Sequence, residues 1–208
     1  MPDSATLLAY AIIVAGYAAL PGPSVLLTVA RSISSGTRAG IATSLGIAMG
    51  DLVHTALAVL GVSAILLTSA LAFSLMKYLG AAYLLYLGLK ALRAPAASLE
   101  LPAEARISPK QALKQGLLCE ALNPKSALFF LAFLPQFVRL EAGSVTSQLT
   151  VLGLTFVVIG ITVTVSYALA AGQVGVFLRR NPAAAKWQNK LAGGIYCTLG
   201  LHLVLQGR

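Results

Sequence analysis

Three strongly charged side chains, Asp51, Glu120 and Lys125, fall within long apolar stretches of this sequence. An ionisable group in hydrocarbon is costly and points to a function that needs a partner. A carboxylate at Asp51 or Glu120 could hold an ammonium group or exchange a proton, and Lys125 could hold a carboxylate. An internal ion pair of Lys125 with one acid is the structural alternative. His54 follows Asp51 at (i, i+3), which on a helix places both on one face. Asp51, Glu120 and His54 are therefore the candidates for proton coupling, with a hydrogen-bonded packing role as the other reading of His54.

These charges lie in or near stretches where a helix must break. Pro21-Gly22-Pro23 interrupts an apolar run from about 7 to 30, and Asn123-Pro124 interrupts another from 112 to 138. Proline lacks the N–H that helix propagation needs and clashes with the preceding turn. Ala19, Leu20 and Ser24 recur as Ala121, Leu122 and Ser126, each 102 positions later. Backbone groups freed in hydrocarbon cost several kcal/mol, of order 2–7 each, unless they face protein or water. Two breaks in register thus imply a polar cavity between them, the pattern of a secondary transporter's substrate site. Ser24 is expected to cap the second half-helix, and the half-helices starting at Ser24 and Ser126 would aim free N–H groups at a carboxylate.

The elements that must position these residues follow from composition. Hydrophobic residues make up 58% of the 208, charged ones 10%, and the mean hydropathy is +0.84, too apolar for a soluble domain of this length. Six runs approach the roughly 20 residues a membrane helix needs: about 7–30, 40–67, 71–92, 112–138, 147–178 and 187–205. The expected fold is an all-α polytopic membrane protein of six transmembrane helices, with helices 1 and 4 broken. Trp187 suits an interface. The first run lacks a basic segment ahead of it, so it reads as a membrane helix and not as a secretory signal.

Of fifteen Lys and Arg residues, eleven follow the first, third and fifth runs: Arg31, Arg38, Lys90, Arg93, Arg106, Lys110, Lys114, Arg179, Arg180, Lys186 and Lys190. Basic residues accumulate in cytoplasmic loops, which puts both termini outside. The net charge of +9 is then a topology signal, and no nucleic-acid partner is expected.

The repeat continues beyond the breaks. Ala56-Leu57 recurs as Ala168-Leu169, and Leu87-Gly88-Leu89 as Leu199-Gly200-Leu201, now 112 positions apart. The halves are residues 1–92 and 112–208, joined by a cytoplasmic linker at 93–111. Three helices per half is an odd number, so the copies are inverted about an axis in the membrane plane. Asp51 aligns with Val163, Glu120 with Ala18 and Lys125 with Pro23, so each charge belongs to one half alone, as a substrate with unlike ends requires.

Cys119 and Cys197 sit in apolar runs, so neither a disulfide nor a metal site is expected. No phosphate-binding loop or hydrolase motif occurs, and no cofactor or enzymatic activity is anticipated. Tyr83, Tyr86 and Tyr196 are candidates for lining a cavity or for packing. Gly46, Gly50, Gly193 and Gly194 allow close helix contact, including in a homo-oligomer.

Across nearly its whole length the chain resembles the LysE/RhtB family of bacterial amino-acid exporters. The resemblance rests on Pro21-Gly22-Pro23-Ser24-Val25-Leu26-Leu27, on Gly46-Ile47-Ala48-Met49-Gly50-Asp51-Leu52-Val53-His54, and on Asn123-Pro124-Lys125-Ser126-Ala127-Leu128-Phe129-Phe130 with Leu134-Pro135-Gln136-Phe137. It implies export of amino acids or close derivatives across the bacterial inner membrane, usually driven by protons. It also implies binding roles for Pro21, Gly22, Pro23, Asp51, Asn123, Pro124 and Lys125; Ser24 and Glu120 join them from capping and burial. A passive pore and a non-transporting membrane scaffold are the rival readings.

Overall fold

The computed structural model describes residues 1–20, 22–93, 106–180 and 182–205. Pro21 and residues 94–105 of the expected linker lie outside the described residues. The first broken run is α1 (Ser4–Ala19), started by Asp3 accepting from the Thr6 N–H at 2.8 Å, and α2 (Pro23–Ser35). The two are bent by 53°. Gly36, at φ +91°, turns the chain where other residues would be strained.

Next come α3 (Thr37–Leu57), extended through a π turn at Ala58–Val62 into α4 (Ser63–Thr68), and then α5 (Ala70–Arg93). The second broken run is α6 (Pro109–Ala121), which starts in a Ser108/Gln111 capping box, and α7 (Pro124–Leu128). A wider π turn at Phe129–Phe133 and a tighter 3-10 turn at Leu134–Phe137 extend α7, and the pair is bent by 44°. Two long helices, α8 (Val145–Arg180) and α9 (Pro182–Leu205), complete the chain.

Thr37–Ile65, Leu71–Arg93 and Val145–Ala171 are each long and apolar enough to cross a membrane. Each bent pair adds one more if it is a single span, which makes five. For the expected sixth run, the apolar stretch among the described residues of α9 is Gly193–Leu205, shorter than a full span.

Hydroxyls buried along the helices bond back to their own backbone, Thr43 to Ala39 O at 2.9 Å and Thr28 to Ser24 O at 2.9 Å. This removes their need for water.

Interactions at both ends show that the broken runs lie antiparallel. The Met1 ammonium donates to Ala142 O at 2.6 Å and Arg139 pairs with Asp3 at 2.9 Å, joining the start of α1 to the chain beyond α7. At the other end the Ile107 N–H donates to Ser35 Oγ at 3.1 Å, joining the start of α6 to the end of α2.

Against this pair, α3 packs on α6 and α8, α2 on α3 and α8, and α5 on α9. The α3–α6 approach depends on glycine. A Cβ on Gly46 would stand 2.8 Å from Leu117 N, one on Gly50 2.9 Å from Ala121 N, and one on Gly116 3.1 Å from Thr43 C. Gly193 meets Gly88 O of α5 in the same way, at 2.8 Å. Gly46, Gly50 and Gly193 thus serve contacts within the chain.

Candidate substrate site between the helix breaks

Both half-helices begin at their prolines. Pro has no N–H to leave orphaned and its fixed φ suits the first helical position, so Gly22 becomes the N-cap of α2 and Asn123 that of α7. This corrects the expectation that Ser24 and Ser126 start these helices. They lie at the second and third helical positions instead, with hydroxyls free to reach sideways.

Both hydroxyls reach Glu120. This side chain ends α6 and is 3% exposed; Ser24 Oγ donates to one carboxylate oxygen and Ser126 Oγ to the other. Asn123 Nδ2 donates to Ser24 Oγ at 3.3 Å, while its Oδ1 accepts the Lys125 N–H at 3.0 Å. His54 Nε2 donates to the Glu120 main-chain carbonyl at 2.9 Å, and its ring stacks on Phe130 at 5.6 Å. A carbonyl only accepts, so this bond fixes the proton on Nε2.

Asp51, on α3, is 2% exposed, and its Oδ1 has no hydrogen-bond partner among the described residues. A Cβ on Gly160 would come within 3.2 Å of its Oδ2, so this glycine makes room for the carboxylate against α8. The alternative of an internal ion pair is not met: among the described residues Lys125 has neither acid within 4.0 Å. Its Nζ donates to Tyr17 O at 3.4 Å and lies over the Tyr17 ring, 4.1 Å from the centroid.

These groups border one cavity. Gly22, Ser24, Asp51, Glu120, Asn123 and Lys125 all line it, drawing together residues from both breaks. Pro23 and Pro124 do not line it; they set where the half-helices start. His54 stands behind it, and Pro21 is outside the described residues. The rest of the wall is Tyr17, Ala18, Leu20, Val25, Ile47, Ser126, Phe156, Gly160 and Thr164. Thr164 bonds to Gly160 O at 2.9 Å, which leaves that side of the cavity largely apolar.

Sequence reasoning passed over Tyr17, Phe156, Gly160 and Thr164. The last three recur every four residues, a spacing that marks one helix face, but nothing in that spacing indicates what the face meets. Tyr196 packs edge-on to Tyr17, with centroids 6.3 Å apart, whereas Tyr83 and Tyr86 pair with each other at 5.8 Å. Cys119 and Cys197 are free thiols.

The sequence pattern of the LysE type translocator family matches residues 15–207. The chain belongs to this family. LysE-type translocators are transporters and not enzymes. This translocator is 31% identical over 181 residues to the homoserine/homoserine lactone efflux protein of Salmonella typhimurium, covering 86% of each chain. It is 31% identical over 178 residues to the leucine efflux protein of Klebsiella pneumoniae, covering 85% of this chain and 84% of that one. It is also 32% identical over 196 residues to an uncharacterized membrane protein of Vibrio cholerae, covering 94% and 95%. No solved structure matches the translocator.

Proposed function

We propose that this translocator is a secondary exporter that carries neutral amino acids or close derivatives out of the cytoplasm across the bacterial inner membrane. The observation that carries this reading is a pair of unmet charges in one cavity, Asp51 Oδ1 without a partner and Lys125 without an acid. A zwitterion supplies both complements, its ammonium to Asp51 and its carboxylate to Lys125. Glu120 has both oxygens occupied by serines, so one free acid remains, and a second cationic group on the substrate would find no counterpart. The largely apolar wall suits an uncharged side chain, and the efflux relatives named for homoserine and leucine carry such substrates.

Coupling to protons follows from charge. With Asp51, Glu120 and Lys125 all ionised, the cavity holds one excess negative charge, which is costly in a membrane interior. A proton on Asp51 neutralises the empty site; in the loaded site the substrate ammonium takes the proton's place beside Asp51, its carboxylate meets Lys125, and Glu120 keeps its two serine donors. His54, held by a carbonyl and a ring, positions Glu120 in this scheme.

The antiparallel broken runs support an inverted repeat of six spans with both termini outside. In the contacts, α6 on α3 has its counterpart in α1 on α8, as a twofold relation in the membrane plane requires. Alternating access then comes from rocking one half against the other.

A growth screen tests the function. Cells expressing the protein should resist inhibition by particular neutral amino acids or their analogues, and cells expressing Asp51→Asn should not. Equal protection by the variant would remove Asp51 from the mechanism, and no protection by either would remove the function.

A further inference from the structure

The Lys125 side chain occupies a built seat. Its ammonium stands 4.1 Å from the Tyr17 centroid and 5.5 Å from that of Tyr196, and it donates to Tyr17 O at 3.4 Å. Opposite, Gly22 borders the side chain: a Cβ there would make ordinary contact, 3.4 Å from Nζ and 3.6 Å from Cδ. The seat is rigid, because Tyr17 is 2% exposed and packs on Phe129 at 4.5 Å and Phe156 at 5.9 Å.

In a low-dielectric cavity shared with Asp51 and Glu120, Coulomb attraction alone would draw the ammonium onto an acid. It stays off both. An aromatic face attracts a cation without cancelling its charge, and a carbonyl is a neutral acceptor. Such a seat fixes the ammonium and leaves its charge to be matched.

We propose that Tyr17, backed by Tyr196, is a positioning residue that holds the Lys125 ammonium away from Asp51 and Glu120, so that a substrate carboxylate neutralises it instead. The proposal rests on the assignment of Lys125 to the substrate carboxylate made above. Tyr17 ends α1 just before the first break, Lys125 follows the second, and Tyr196 lies on α9. The seat therefore joins both broken runs to a third helix at the point where the substrate's negative end binds.

The test uses purified full-length protein in proteoliposomes and two probe pairs, leucine with leucinamide and homoserine with homoserine amide. Each amide keeps the ammonium and lacks the carboxylate. Lys125→Met should abolish the preference for acid over amide. Tyr17→Leu should raise KM for the acid about 30-fold, the weight of a desolvated cation–π contact, and raise KM for the amide by less, since the amide loses only the access to Asp51 that the released ammonium contests. Tyr17→Phe keeps the ring face, and Tyr17 Oη has no hydrogen-bond partner to lose among the described residues. That variant should stay within about twofold of the parent, well under the 1.4 kcal/mol of a tenfold change.

Unchanged KM values in Tyr17→Leu, equal losses for acid and amide, or a Tyr17→Phe defect matching Tyr17→Leu would each overturn the seat alone. Retention of the acid preference in Lys125→Met would overturn the Lys125 assignment and the seat with it.

Discussion

Ser24 and Ser126, at matching places in the two halves, donate to the two oxygens of a single carboxylate, that of Glu120. Two pseudo-equivalent hydroxyls thus converge on a charge that only one half carries. The carboxylate ties the start of α2 to the end of α6 and the start of α7, and so fixes both breaks relative to each other. Hydrogen bonds to a charged group are about twice as strong as neutral ones, which makes this clasp the centre of the site.

Removing either hydroxyl should loosen the clasp. Ser24→Ala and Ser126→Ala should each reduce export about 10- to 100-fold, corresponding to about 1.5–3 kcal/mol for a hydrogen bond to a charged group. The double variant should differ from the sum of the two, because the serines share one partner. Initial efflux rates for all three variants provide the check, and strictly additive effects would count against a shared clasp.

Asp51→Asn keeps the shape of the side chain and removes its charge. Export should fall to background while the protein still inserts and purifies, since Oδ1 makes no hydrogen bond that holds the fold together among the described residues. Membrane fractionation alongside the efflux assay separates the two effects.

The glycines of the α3–α6 contact should tolerate no side chain. Gly50→Ala places a methyl 2.5 Å from Glu120 Cβ and 2.9 Å from Ala121 N, an overpacking expected to cost about 1–3 kcal/mol. Gly194→Ala meets nothing within 4 Å and should be neutral. Thermal unfolding in detergent should rank Gly50→Ala well below Gly194→Ala; equal midpoints would contradict the packing.

The ends of the broken runs joined through Asp3 and Arg139 should be insensitive to physiological pH. The Thr6 N–H, with Arg139 beside it, holds the Asp3 carboxyl below its ordinary value. A carboxylate lowered in this way contributes stability above its unfolded pKa of about 3.9 and loses it as pH falls through the lower folded value. The difference in unfolding temperature between the parent and Asp3→Asn should therefore hold constant from about pH 5 to 8 and shrink below about pH 4. A difference that changed between those upper values would point to another group.

The breaks and the buried charges were legible in the sequence because proline in a helix and charge in hydrocarbon each carry a large local cost. The register between Ser24 and Ser126 was legible too, although not its meaning: one-dimensional order does not say that both hydroxyls meet Glu120. The helix starts were misplaced because serine and proline both favour helix N-termini, and proline at the first helical position moved the cap back to Gly22 and Asn123. The absence of a Lys125 ion pair was hidden for another reason. Tyr17 lies 108 residues away, in another helix, and aromatic residues are too common in apolar runs for one to announce itself as a cation's neighbour. The close helix faces were visible as glycines, whereas their use inside the chain required the packing.

The most direct test of the central claim is active accumulation by purified protein in proteoliposomes with an imposed proton gradient and a radiolabelled neutral amino acid. The account predicts that the amino acid rises above equilibrium on the side from which protons are drawn, and that Asp51→Asn abolishes this. Equilibration without accumulation, unaffected by the gradient or by Asp51, would mark a passive pore and contradict it.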